Sequence, residues 1–392
     1  MVNFDFKNPT RIIFGKGTIA GVGPVVREFQ GSKVLLHFGG GSIKANGIYD
    51  TIKKSLSGVG IEVVELGGVQ PNPRLSLIRE GIKLSREKKV DFILAVGGGS
   101  VIDSAKAIGV GIPYEGDVWD FYTGKAVPQK TVPVATVLTI PAAGSESSFS
   151  SVVTNDDGAF KRPLDHDLIY PVFSILDPET GYSLPAYQTG CGLSDMLVHV
   201  IERYCTRELQ VELTDRLCEA VMKTIINNAP RVLANPRDYD ARAEIMWAGA
   251  VAHNNSLNTG RIGDWASHMI EHELSGFNDV AHGAGLAVLV PNWMKYVYKT
   301  DPQRFVQFAV RVFDVEQNFH NPEETALRGI NALRNFFNSL GMPATLKEIG
   351  IEEKDFQAIA EKTKKFDPVK GTVGNFQPLT NKDIVEILKL AK

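Results

Sequence analysis

The stretch DFILAVGGGSVIDSAKAIG, residues 91–109, decides the fold. An apolar run meets three glycines and a serine, and a helix-forming segment follows directly. That order predicts a strand, a glycine turn and a helix, the opening of a βα unit. Glycines at a strand end let backbone approach a phosphate, and the next helix offers free N–H groups and a positive dipole end. HFGGGS at 37–42 repeats the pattern, as a duplicated unit does, and TIPAAGSES at 139–147 is a third polar turn after a strand. Neither GGGS turn completes G-x-G-x-x-G, since Lys44 and Ile102 hold the third-glycine positions, and neither carries the Lys-Ser/Thr of a P-loop. One such turn is as well explained by tight packing. Three together predict a dinucleotide lying across strand ends.

Outward from this stretch the first half alternates. Strand-like runs lie at Lys33–Phe38, 61–66, 91–96 and 132–140, with helical patterns at 43–56 and Leu75–Lys88. Leu75, Ile78 and Ile82 keep i, i+3, i+7 spacing. A parallel sheet covered by helices is expected. Beyond Leu184 the strand signal stops. Leu217, Val221 and Ile225 recur every four residues, Asn235-Pro236 predicts a capped helix start, and 324–339 and 381–391 are amphipathic. The expected organisation is an α/β dinucleotide-binding domain over 1–184 and an all-α metal-binding, catalytic domain over 185–392.

Composition narrows the function. The chain has 392 residues, 43% hydrophobic and 22% charged, with a net charge of -3. No basic tract points to nucleic acid or an anionic membrane. The N-terminal residues mix charges into their apolar positions, without a signal-peptide core, and no long apolar run predicts a membrane span. Cys191, Cys205 and Cys218 form no CxxC pair, so a reduced, cytoplasmic enzyme is expected.

Candidate chemistry sits in the second half. Asp195 and His199, in GLSDMLVHVIERY, are four apart and share one helix face about 6 Å apart along the axis. With His268 and His282 they make one carboxylate and three imidazoles, a donor set suited to Fe(II), Zn(II), Co(II) or Mn(II). An Asp and a His at this spacing are more often a surface pair. His268 and His272 form an HxxxH alternative, whereas His272-Glu273 cannot open HExxH because Gly276 follows. Cys191, four before Asp195, is a conceivable ligand but reads more simply as a small buried thiol between Gly190 and Gly192. His37, His166, His253 and His320 lack a ligand-spaced partner and read as structural or surface residues.

GGGSVIDSAKAIG (97–109), LTIPAAGSES (138–147), DPETGYSLP (177–185), the Asp195/His199 pair and HMIEHELSGFNDVAHGAGLAVLVP (268–291) resemble the iron-containing alcohol dehydrogenases, most closely their NADP-dependent, butanol-dehydrogenase-like branch. The resemblance runs from about residue 8 to Tyr298. It implies a dehydroquinate-synthase-like fold with its active site in the cleft between an α/β and a helical domain, and a homodimer. It implies Asp195, His199, His268 and His282 as metal ligands and His272 as a proton relay or substrate contact. Gly98, Gly99 and Ser100 would hold the pyrophosphate, with Asp103 on the nicotinamide side as a second catalytic-site residue. Thr139, Ser145, Ser148, Lys161 and Thr180 would line the cofactor groove, and Asn72 would meet the adenosine half. The chain departs from the family at PAAGSES, where many members read PTTAGTGSE, and at Ser148, where close relatives can carry Asn.

The implied reaction interconverts a primary alcohol and its aldehyde with NADP(H), at Fe(II) or alternatively Zn(II). NADP(H) is expected because no carboxylate stands from His37 through Ser42, where an NAD-selective site places one on the ribose. Gly39, Gly40, Gly41 and Ser42 offer N–H groups and a hydroxyl instead, with Lys44 close by. Two other readings stand beside it. One is a dehydroquinate-synthase-like, NAD- and metal-dependent sugar-phosphate cyclase or lyase, for which the segments 191–205 and 262–291 are poor in cations. The other is a non-redox metallohydrolase. Substrate-pocket walls are expected from parts of 145–165 and 360–380.

Overall fold

The computed structural model describes residues 1–363 and 371–392; residues 364–370 of the expected pocket wall lie outside the described residues. The chain divides into two compact units, Lys7–Leu184 with Asn235–Ala250, and Met1–Phe6 with Pro185–Ala234 and Val251–Lys392. The expected split near 184 is therefore incomplete, because a helical segment from the second half joins the first unit.

The α/β unit is built on a six-stranded sheet. Its strands are β1 (Arg11–Phe14), β2 (Lys33–Phe38), β3 (Glu62–Leu66), β4 (Phe92–Gly98), β5 (Val134–Ile140) and β8 (Phe173–Leu176), in the order β1-β8-β5-β4-β2-β3. Every neighbouring pair runs parallel. Alternation explains the burial of both faces. Leu35, Ile93 and Ala95 enter one core with Ile78, Ile82, Ile102 and Ile108, from helices Leu75–Lys88 and Gly99–Gly111. Val34, Leu36, Phe92, Leu94 and Val96 enter the other with Val22, Val26, Ile52 and Leu56, from helices Val22–Glu28 and Ile48–Gly58.

Four strands fall outside the expected runs. β1 is a four-residue edge with no fully buried position, and β8 is equally short. The antiparallel pair β6 (Ser150–Asn155) and β7 (Phe160–Asp165) carries Lys161, Arg162 and Pro163 in place of an alternating apolar face. The helix expected over 43–56 is broken into Ser42–Ala45 and Ile48–Gly58, because Gly47 between them takes φ 80°.

The helical unit contains Ala186–Tyr204, Glu212–Ala234, Ala266–Asn278, His282–Val297, Pro302–Phe313, Pro322–Ser339 and Asn381–Leu390. Asn321 accepts from the N–H of Glu324, and Thr380 with Asp383 forms a capping box, which fixes the last two starts. The buried stripe of Glu212–Ala234 is Cys218, Met222, Ile225 and Ala229, while Leu217 is 44% exposed. Of the Leu217–Val221–Ile225 repeat, Ile225 faces the core and Leu217 does not; polar residues share the core positions, where buried Asp215 accepts from both Arg261 and Arg304. The start expected at Asn235-Pro236 lies three residues late: the Asp238 carboxylate accepts from the Ala241 N–H, and the helix runs Tyr239–His253. Gly283 lets His282–Val297 pack on Ala186–Tyr204, since a Cβ there would stand 2.0 Å from the Cys191 carbonyl oxygen. No described helix is long and apolar enough to cross a membrane.

Candidate functional site

The sheet order lines up the nucleotide candidates of the α/β unit. β8, β5, β4, β2 and β3 are successive neighbours, so their carboxyl ends form a row of roughly 19 Å. Thr180 follows β8, Thr139 ends β5 with Ser145 beyond it, Gly98–Ser100 ends β4, Gly39–Ser42 follows β2, and Asn72 follows β3. The chain leaves β2 toward β3 and leaves β4 toward β5, so the two GGGS turns flank the point where the strand order reverses.

The glycines divide by role. A Cβ on Gly97 would meet the Val101 side chain at 2.4 Å, and one on Gly98 would meet Ile140 at 2.9 Å, so packing excludes side chains there. At Gly40 and Gly41 a Cβ would meet nothing within 4 Å, and Gly41 has φ -84°. Neither space nor conformation requires glycine at Gly41, which fits a place kept clear for a ligand. Helix Gly99–Gly111 starts without a side-chain cap, leaving its first N–H groups for a phosphate.

Other expected groove residues are already committed. The Thr180 hydroxyl lies 3.0 Å from the Leu138 oxygen and 2.8 Å from that of Asp177. Asp103 accepts from Ser145 Oγ at 2.6 Å and from the Val152 N–H at 3.0 Å, and burial holds its carboxyl above the usual range. Lys161 is buried on β7, and Asn72 is buried with φ 55°. Lys44 places its ammonium 5.2 Å from the Phe38 ring centre and 5.0 Å from that of Tyr49.

The helical unit gathers the metal candidates. Asp195, His268 and His282 offer ligand atoms within 4.8 Å of one another, and Glu271, His272 and His282 do the same. Asp195 Oδ1 lies 3.8 Å from Nε2 of His268 and 3.8 Å from Nε2 of His282. His199 stands differently: its Nδ1 is 2.9 Å from both the Asp195 carbonyl oxygen and Oδ1, and its ring centre is 4.4 Å from that of His268. Cys191 belongs to neither group among the described residues, and burial pushes its thiol up to about 11.

Two carboxylates that the sequence reading passed over complete the arrangement. Glu202 meets Nδ1 of His268 and accepts from the Ser267 N–H at 2.8 Å, so its charge also sits at the start of helix Ala266–Asn278. Glu271 meets Nδ1 of His282 and the Ser275 hydroxyl. Each carboxylate accepts from the Nδ1 side of its imidazole and turns the Nε2 side toward Asp195, the usual support for a metal-bound imidazole. Glu202 lies three after His199 and Glu271 three after His268, but each holds another histidine, so their spacing carried no signal. His253 also joins the cluster, 4.5 Å from the His199 ring and hydrogen-bonded to Arg203 at 2.6 Å.

The electrostatics suit a cation. Burial opposes charge on Asp195, but His199 and His282 outweigh it and hold the carboxyl well below its usual range. Burial likewise opposes charge on His268, yet Glu202 and Asp195 push it up to about 9. Beyond the close His199 Nδ1 contact, buried Asp195 Oδ1 has no hydrogen-bond partner, and buried His268 Nε2 has none. Orphaned buried donors and acceptors are costly, and a divalent ion satisfies both at once. The residues present fit the metal.

Likeness to known proteins gives the family. Residues 9–178 match the pattern of the iron-containing alcohol dehydrogenases, and residues 189–392 match the C-terminal pattern of the same family. A probable NADH-dependent butanol dehydrogenase 1 of Bacillus subtilis is 42% identical over 389 residues, 99% of each chain. The NADPH-dependent aldehyde reductase YqhD of Escherichia coli is 36% identical, covering 92% of this chain and 93% of its own. The crystal structure of NADH-dependent butanol dehydrogenase A from Thermotoga maritima superposes with a TM-score of 0.96 at 42% identity, covering 99% of this chain and 98% of that one. The fold, a parallel α/β unit with a helical unit, is dehydroquinate-synthase-like. The chain belongs to the iron-containing alcohol dehydrogenase family.

Proposed function

We propose that the protein interconverts a primary alcohol and its aldehyde using NADP(H), with Fe(II) held by Asp195, His199, His268 and His282 and a homodimer as its working form. One observation carries the reading: buried Asp195 Oδ1, 2.9 Å from His199 Nδ1, also faces the Nε2 atoms of two further imidazoles whose Nδ1 sides are held by carboxylates. A divalent ion bound there supplies Lewis-acid polarisation of a carbonyl oxygen. Glu202 and Glu271 keep the rings of His268 and His282 in one tautomer and orientation. His272, grouped with Glu271 and His282, is the residue we place in the proton path. Gly98–Ser100 and Gly39–Ser42 would hold the nucleotide by backbone N–H groups at adjacent strand ends, and the nucleotide would supply or take up the hydride.

NADP(H) is favoured over NAD(H) by the absence of any carboxylate from His37 through Ser42. The relatives divide: the butanol dehydrogenases are named as NADH-dependent and the aldehyde reductase as NADPH-dependent. Gly39 leaves room for a test: a Cβ there meets the Val69 oxygen at 3.4 Å, a contact that small shifts accommodate. In kcat/KM measurements with C2–C6 aldehydes after anaerobic Fe(II) loading, the parent favours NADPH and Gly39→Asp loses most of that preference. A parent that favours NADH, or a variant with the parent's preference, overturns the assignment. Equilibrium sedimentation tests the homodimer.

A further inference from the structure

The helix after the second glycine turn is pinned by three polar residues within four positions. Asp103 holds Ser145 and the Val152 N–H, and Ser104 Oγ lies 2.8 Å from His37 Nε2. Lys106, fully buried, is the third. Its Nζ lies 2.7 Å from the Ser145 oxygen and 2.9 Å from Ser145 Oγ. It also lies 2.9 Å from the Ser148 oxygen, 3.3 Å from Ser148 Oγ and 2.7 Å from the Ser150 oxygen. Five acceptors share three protons.

Burying an ammonium is costly, and an apolar side chain of similar length fills the same space without that cost. What the apolar chain lacks is the power to turn three carbonyls and two hydroxyls toward one point. The consequence at Ser145 is chemical. Its O–H donates to Asp103 and one lone pair receives Lys106, so a single acceptor lone pair is left. Such a hydroxyl can receive an N–H or O–H but has no proton for a phosphate oxygen.

We propose that Lys106 is a positioning residue of the nucleotide site. It fixes the 145–150 turn against helix Gly99–Gly111 and presents Ser145 as an acceptor for a donor on the nicotinamide-riboside half of the dinucleotide. The inference rests on the dinucleotide reading above.

The test compares two ligands, NADPH and ADP, because ADP lacks the nicotinamide riboside. Binding is read by fluorescence or calorimetry on the folded, metal-loaded protein. Lys106→Met weakens NADPH about 30-fold, the worth of one or two lost charged hydrogen bonds, and leaves the ADP affinity within threefold. Ser145→Ala shows the same split at about tenfold. Lys106→Arg, which restores a buried cation with N–H donors, recovers part of the NADPH loss. Equal weakening of both ligands, or a parent-like NADPH affinity with only a lower Tm, overturns the proposal. Should Lys106→Met not fold, Ser145→Ala decides by the same ratio. A parent that binds neither ligand overturns the dinucleotide reading instead, before any variant is compared.

Discussion

Histidine does opposite work in the two units. In the α/β unit, His37 is fully buried between the Leu66 oxygen at 2.9 Å and Ser104 at 2.8 Å. Burial pulls it down to about 4, so the ring stays neutral. In the helical unit, His268 is equally enclosed but faces Glu202 and Asp195, which push it up to about 9. The same side chain becomes a scaffold where its neighbours are neutral and a candidate ligand where they are anionic. The proposed sites differ in the same way. The metal site is made of side chains aimed by other side chains, whereas the nucleotide turns are made of backbone from which side chains have been removed.

The contrast breaks first at His282. His282→Ala removes one of the two Nε2 atoms facing Asp195 Oδ1, and elemental analysis should find the metal lost together with turnover. His272→Ala should keep the metal while slowing the reaction. The reverse pattern makes the His268/His272 pair the ligands.

His37 tests the scaffold side. Its folded-state pKa lies below the unfolded value of 6.5, so its contribution is complete above pH 6.5 and is lost as pH falls toward about 4. That loss amounts to about 3 kcal/mol by linkage. Tm measured from pH 7 to 4 should fall less steeply in His37→Gln than in the parent. Parallel curves sink the assignment.

Glu271→Gln sharpens the ligand side. It keeps the shape beside His282 but withdraws the charge, and metal affinity by competitive chelation should fall by about 10- to 100-fold with the fold intact. An unchanged affinity means the carboxylate only packs. The smallest effect is expected at Gly41, where an added side chain meets nothing of the protein within 4 Å. Gly41→Asp should leave Tm unchanged and weaken the nucleotide about tenfold. A lower Tm with unaltered binding means that the glycine serves the turn.

Much of this was legible in residues 91–109, because an apolar run, glycines and a helical pattern are local events. β2 and helix Leu75–Lys88 fall on their expected bounds. β1, β8 and the β6–β7 pair were not legible, since strands of four residues or with charged faces exist only by pairing with neighbours. The Asp195–His199 spacing announced itself through helical periodicity. Glu202 and Glu271 did not, because a buried glutamate and a solvated one look alike until the imidazole they hold is in place.

The sequence by itself determined the strand–glycine–helix units, the end of the strands near residue 184 and the residue types able to bind a metal, all carried by periodicity and composition within a few turns of chain. Tertiary structure alone decided that Asn235–Ala250 packs with the α/β unit, that Cys218 and Met222 face inward in place of Leu217, and that Lys106 is spent on three serines. Those outcomes depend on contacts between residues far apart in sequence, where burial and pairing override local preference.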